Sequence, residues 1–177
     1  EVRSIERCMF SGCKDLEEVI LPKQVTSIAI HAFEQCLILK RIRIPASLEN
    51  IGNPVVAGIP GSGKKSPNGW EKNVFSNCES LESFDVDPDN RLLSSQDGVL
   101  YSKDKTMLIL YPQGRKEEVF SIPEGVTVLT SSAFYNNPYL KEVHLPNSLK
   151  EIKDSVFAKC VNLEKAAPPS SLTSIGT

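Results

Sequence analysis

At 177 residues, with 40% hydrophobic and 24% charged side chains, the chain has an ordinary globular composition and can bury a core. A formal net charge of −2 gives no electrostatic reason to expect nucleic acid or an anionic membrane as partner, and no apolar run is long enough to span a bilayer. Five cysteines, at 8, 13, 36, 78 and 160, lack Cys-x-x-Cys spacing, and an odd number excludes a complete internal disulfide set.

The first two units set the pattern. Shifted by 23 residues, IERCMFSGCKDLEEVILPKQV from Ile5 overlays IAIHAFEQCLILKRIRIPASL from Ile28. Phe10 falls on Phe33, Cys13 on Cys36, Leu16 on Leu39, Val19 and Leu21 on Ile42 and Ile44, and Pro22 on Pro45. A unit of this length lies in the leucine-rich-repeat range. Val19 and Leu21 alternate with Glu18 and Ile20, which predicts a short strand with one buried face. Pro22 closes it, having no N–H for the next ladder rung. Ile28, Phe33 and Cys36 predict a short helical turn on the opposite side. One such unit cannot bury its inward face; stacked units can, by joining strands into a parallel sheet.

The period breaks twice. After Ile51 the phenylalanine expected at 56 arrives only at Phe75, so residues 52–74 read as an inserted loop. It contains GIPGSGKKS, where Gly58, Gly63 and Lys64 fit a phosphate loop. Lys65 replaces the metal-holding hydroxyl residue, however, and Pro67 and Gly69 oppose a following helix, so the segment reads as an inter-repeat loop. Trp70 is its one candidate contact residue: exposed, it would stack on a sugar or anchor a protein; buried, it would fold the loop onto the array. Downstream, DVDPDN spaces Asp85, Asp87 and Asp89 like the opening of a calcium loop, but Asn90 replaces the glycine and Gln96 the bidentate glutamate. It reads as a strand end and turn. The second break, residues 91–115, holds DGVLYSKDKTMLILYP, whose apolar runs at 99–101 and 107–111 flank SKDKT and predict a β-hairpin.

The phase then returns with Leu129, Ile152 and Ile175, and Asn137 takes the cysteine position. Val2 lies in the phase of Val25 and Ile175 opens a further unit, so the pattern predicts a segment of a longer array. Cys13, Cys36, Cys78 and Cys160 share one phase and are expected as reduced, buried thiols; Cys8 is off phase and expected at the surface. No ligand spacing suits a metal, no nucleophile elbow suggests a hydrolase, and no cofactor is expected.

Units of the form L-x-x-[VI]-x-[LI]-P-x-x-[VL]-x-x-I-x-x-x-x-F-x-x-C, at 5–25, 28–48, 129–149 and 152–172, resemble the BspA-like leucine-rich repeats of bacterial surface proteins. The segment DGVLYSKDKTMLILYP leading into IPEGVTVL is also similar to that family. Gln24 stands where the commoner repeat has its asparagine ladder. The resemblance implies a secreted or cell-surface protein, adhesive or host-protein-binding roles, and no catalytic residue set.

The expected architecture is one α/β solenoid domain over 1–177, with a parallel concave sheet and with short helical turns and one β-hairpin on the convex side. Its outward strand positions would form a binding face: Glu18, Ile20, Arg41, Arg43, Ser83, Asp85, Val119, Ser121, Glu142, His144, Lys165 and Ala167, with Glu18 paired to Arg41 across the sheet. The expected function is non-catalytic binding of an extracellular protein or glycan; the alternative is a passive structural spacer.

Overall fold

The computed structural model describes residues 2–52 and 74–177. The phosphate-loop-like GIPGSGKKS and Trp70 lie outside the described residues.

Alternating apolar residues produce short strands that stack coil on coil. Strands β1 (Ser4–Ile5), β3 (Ser27–Ala29) and β5 (Asn50–Gly52) pair in parallel, Ser4 beside Ser27 and Ser27 beside Asn50. Strands β2 (Glu18–Ile20), β4 (Arg41–Ile44) and β6 (Ser83–Val86) form a second parallel sheet, with Val19, Ile42 and Phe84 in one inward row. The described residues wind as a parallel-strand solenoid of about seven turns.

The helical turn predicted over Ile28–Cys36 is replaced by β3 and a run of tight turns, and there is no helix among the described residues. The hydrogen bonds give the reason. The N–H groups of Ala32, Glu34 and Cys36 donate three residues back, whereas those of Phe33 and Gln35 between them reach Val74 O (3.1 Å) and Ser76 O (2.8 Å) on the next coil. A helix would keep all these bonds within itself. To alternate, His31 and Gln35 adopt φ of 60° and 58°, in the left-handed region. The same device recurs at Cys8 and Gly12, Ser132 and Asn136, and Ser155 and Lys159. For a residue with a Cβ that conformation costs about 1–2 kcal/mol, which the inter-coil bonds offset.

The inward side chains stack in columns. Phe10, Phe33 and Phe75 lie face to face with ring centroids 5.2 and 5.6 Å apart. Tyr111, Phe134 and Phe157 continue the arrangement at 5.0 and 5.2 Å. In the cysteine column, Cys36, Cys78 and Cys160 thiols donate to the carbonyls of Phe10, Phe33 and Phe134 on the preceding coil. Asn137 does the same with its amide, donating to Pro112 and Gln113 carbonyls while its Oδ1 accepts from Tyr139 and Leu140 N–H. The thiols are all free; Cys36 and Cys78 are buried as expected, but Cys13 and Cys160 are only partly so, because each has a neighbouring coil on one side.

Residues 91–115 form the predicted hairpin, its runs at 99–101 and 107–111 pairing antiparallel across SKDKT, and add one strand before it. Three strands, β7 (Leu93–Gln96), β8 (Val99–Ser102) and β9 (Met107–Leu110), form an antiparallel meander. The first turn is Asp97-Gly98, with φ of 51° and 76°, the two-residue geometry that matches strand twist. Strand β9 then pairs in parallel with β11 (Val128–Leu129), followed by β13 (Glu151–Ile152) and β14 (Ser174–Ile175), giving a six-stranded mixed sheet. Strands β10 (Val119–Ser121) and β12 (Glu142–His144) resume the other sheet, extended by a bridge from Glu142 to Lys165. The meander is therefore a modified coil, not an appendage.

Two contacts seal it to the coil before. Phe84 N–H donates to Gly98 O at 2.9 Å, and Gly114 N–H to Leu81 O at 2.7 Å. A Cβ at Gly114 would lie 2.4 Å from the Ser80 carbonyl carbon.

Truncating the stacked, fully buried Phe33 to alanine is expected to cost about 3–5 kcal/mol, and exposed Arg41→Ala to stay within roughly 0.5 kcal/mol; urea midpoints check the order. Gly114→Ala should destabilise by about 1–3 kcal/mol, since the obstructing atoms are backbone.

Candidate binding face

Alternation along β2, β4, β6, β10 and β12 turns one set of side chains out to solvent, and parallel register lines that set up in rows. One row runs Glu18, Arg41 and Ser83; the next runs Ile20, Arg43 and Asp85. Beyond the meander the rows resume as Val119, Glu142 and Lys165, then Ser121 and His144. Ile20 and Val119 are 65% and 51% exposed.

The predicted Glu18–Arg41 ion pair does not form. Arg43 instead bridges two carboxylates, with Nε 3.4 Å from Glu18 Oε1 and 3.8 Å from Asp85 Oδ2. Its central position explains this: a diagonal neighbour lies within reach of a long side chain, and bridging satisfies two anions with one cation. Arg41 has no ion-pair partner among the described residues. At the strand entrances Lys40 pairs with Glu17 at 3.1 Å and Lys141 with Glu118 at 2.8 Å, exposed contacts worth a few tenths of a kcal/mol each.

A continuous polar relay occupies the second half of the face. Ser121 Oγ lies 3.0 Å from His144 Nδ1, His144 Nε2 lies 3.0 Å from Glu142 Oε1, and Lys165 Nζ lies 2.7 Å from the same oxygen. Lys165, then His144, hold the Glu142 carboxyl below the ordinary glutamate value. The sequence placed these four residues on one face but did not link them. The signal was there: 23 residues separate Ser121 from His144, the same offset that relates the repeats, so the pair is adjacent in register.

The aspartate run behaves as a turn. Asp85 faces Arg43, Asp87 accepts the Asp89 N–H at 2.9 Å, and buried Asn90 donates to the Pro45 and Leu48 carbonyls while accepting from Leu92 and Leu93 N–H. Among the described residues no group of three His, Cys, Asp or Glu side chains is placed to hold a metal ion.

The pattern of the BspA type leucine rich repeat region matches in 6 copies, over residues 1–96 and 113–177. The chain belongs to the BspA-type leucine-rich repeat family. No curated protein matches the sequence. Among solved structures, this BspA-type chain is similar to the pneumococcal vaccine antigen PcpA, with TM-score 0.67 and 26% identity over 92% of this chain and 47% of that one. A leucine-rich repeat protein of Eubacterium ventriosum matches with TM-score 0.66 and 24% identity, over 98% of this chain and 53% of the other. A leucine rich cell surface protein of Faecalibacterium prausnitzii matches with TM-score 0.57 and 25% identity, over 94% and 51%. The chain spans about half the length of these structures. The fold is thus the repeat fold of bacterial surface proteins.

In a carboxyl-resolved NMR titration, Glu142 should titrate below an ordinary glutamate, and Lys165→Ala should move it upward. A depressed folded-state value means that the Glu142 contribution to stability is present above the ordinary glutamate range and lost as pH falls through the folded value.

Proposed function

We propose that this face is a binding surface for an extracellular protein or glycan, carried by a secreted or cell-surface protein, and that the array acts by presenting side chains, not by catalytic turnover. One observation carries the reading: exposed Ile20 lies one row from Arg41, which has no ion-pair partner among the described residues, so apolar area and a guanidinium are presented together. Arginine is enriched among the anchors of protein interfaces, where it supplies directed donors, and an adjoining apolar side chain adds area that binding can bury. Membership of the BspA-type family and likeness to the leucine rich cell surface protein of Faecalibacterium prausnitzii support the location.

A passive spacer is the second reading, and the face itself gives the reason. Arg43 is neutralised by Glu18 and Asp85, and Lys165 by Glu142, so part of the charge is spent internally.

Immobilised chain tested against extracellular-matrix proteins and a glycan array separates the two. The binding reading expects specific capture that an Ile20→Thr, Arg41→Gln double variant reduces by about tenfold or more, the loss expected when central anchors of an interface are replaced. The variant should keep the parent melting temperature. Absence of saturable capture would favour the spacer, and capture indifferent to the double variant would move the site off this face.

A further inference from the structure

We propose that Ser121 is a base-activated nucleophile that takes up an acyl group from an activated carboxylic ester. The inference goes beyond binding and rests on the relay alone.

Parallel pairing of β10 and β12 sets Ser121 beside His144, and Glu142 lies two positions earlier on the same outward side of β12. A carboxylate only accepts hydrogen bonds, so the His144 Nε2 that faces Glu142 at 3.0 Å carries the ring proton. The lone pair of Nδ1 then faces the Ser121 hydroxyl, 3.0 Å away. Glu142 is itself anchored from the far side by Lys165, which fixes the imidazole's orientation. Nucleophile, base and orienting carboxylate are within hydrogen-bond reach in series, the arrangement that activates a serine hydroxyl. Ser121 is exposed and the His144 side chain is 55% accessible, so an ester in solution can approach.

The step balances without a cofactor. Ser121 Oγ bonds to the ester carbonyl carbon as its proton passes to Nδ1. The tetrahedral adduct collapses, the bond to the leaving oxygen breaks, and the proton on Nδ1 goes to that oxygen. The products are acyl-Ser121 and an alcohol or phenol. The neighbouring Ile122 N–H is committed to His144 O at 3.0 Å, so it does not serve a developing oxyanion. The expected outcome is stoichiometric acylation and not rapid turnover.

The test incubates the whole chain with p-nitrophenyl acetate and maps acetyl groups by peptide mass spectrometry. Ser121 should be acetylated about tenfold or more faster than Ser174, an exposed strand serine whose register neighbour is Glu151 and not a histidine. Ser121→Ala should remove the label. His144→Gln should slow it by a similar factor with unchanged melting temperature, and Glu142→Gln should slow it as well. Labelling of Ser121 no faster than of Ser174, or unaltered by His144→Gln, would overturn the proposal. Ligand capture in the Ile20, Arg41 double variant is read separately, so failure of one reading leaves the other standing.

Discussion

In every described turn the backbone finds part of its hydrogen bonding on the adjacent coil. Phe10 and Gly12 donate to Ala32 and Glu34, and Phe33 and Gln35 donate to Val74 and Ser76. A buried amide left without a partner costs about 1–3 kcal/mol, so no coil is satisfied in isolation. This constraint sets the rest of the architecture. It holds residues such as His31 and Lys159 in left-handed backbone, and it places a short polar side chain, cysteine or asparagine, where a carbonyl of the preceding coil needs a donor. Serines 47, 148 and 171 work likewise, donating to the carbonyls of Val25, Val126 and Leu149. Stacking is thus a bonding requirement as well as a means of burying apolar area.

The same requirement explains how the array survives the irregular stretch between β6 and β10. Tyr111 occupies the phenylalanine column, stacking on Phe134 at 5.0 Å and donating its N–H to Ala133 just as Phe10 does to Ala32. Gly114 stands in the cysteine column, 23 residues before Asn137, and its missing side chain lets the backbone close on Ser80 and Leu81. The inward surface of a coil is therefore reproduced by residues that do not spell the repeat. Outward, the substitution divides the strand face into β2-β4-β6 and β10-β12, and the two halves differ in character: an arginine-centred ion-pair row in one, a Ser-His-Glu-Lys relay in the other.

Strand positions and the inward columns were legible because apolar identity at fixed phase leaves a direct mark on composition. The turns were not. Their defining feature is positive φ, and of the four complete left-handed pairs only Gly12 is a glycine; His31, Gln35, Ser132 and Lys159 carry no local sign of it. Those conformations are imposed by partners on the neighbouring coil, so a reading of local propensity finds apolar spacing and infers a helix. The meander was half legible. SKDKT marks one turn and the hairpin around it, whereas the turn at Asp97-Gly98, the stronger hairpin signal, and the strand before it lie outside the two apolar runs. Face membership followed from alternation, but pairing within the face did not: Arg43, not Arg41, takes Glu18, a choice made by side-chain reach and by Asp85 on the far side.

A repeat array separates what must be kept from what can vary. Inward positions answer to packing and to carbonyls awaiting donors, and their character is largely kept from coil to coil even where the residue changes, as from Val19 to Ile42 to Phe84. Outward positions answer only to solvent and to one another, yet register fixes their separation as tightly as that of the core. Residues 23 apart in sequence, such as Ser121 and His144, therefore meet with the geometry of a built site although nothing in their local sequence distinguishes them. Chemistry on such a scaffold should be sought along rows at the repeat offset and not in contiguous motifs. By that criterion the relay on β10 and β12 is a more specific arrangement than the phosphate-loop-like or calcium-like runs, because its members are held in hydrogen-bond contact by the same ladder that holds the fold.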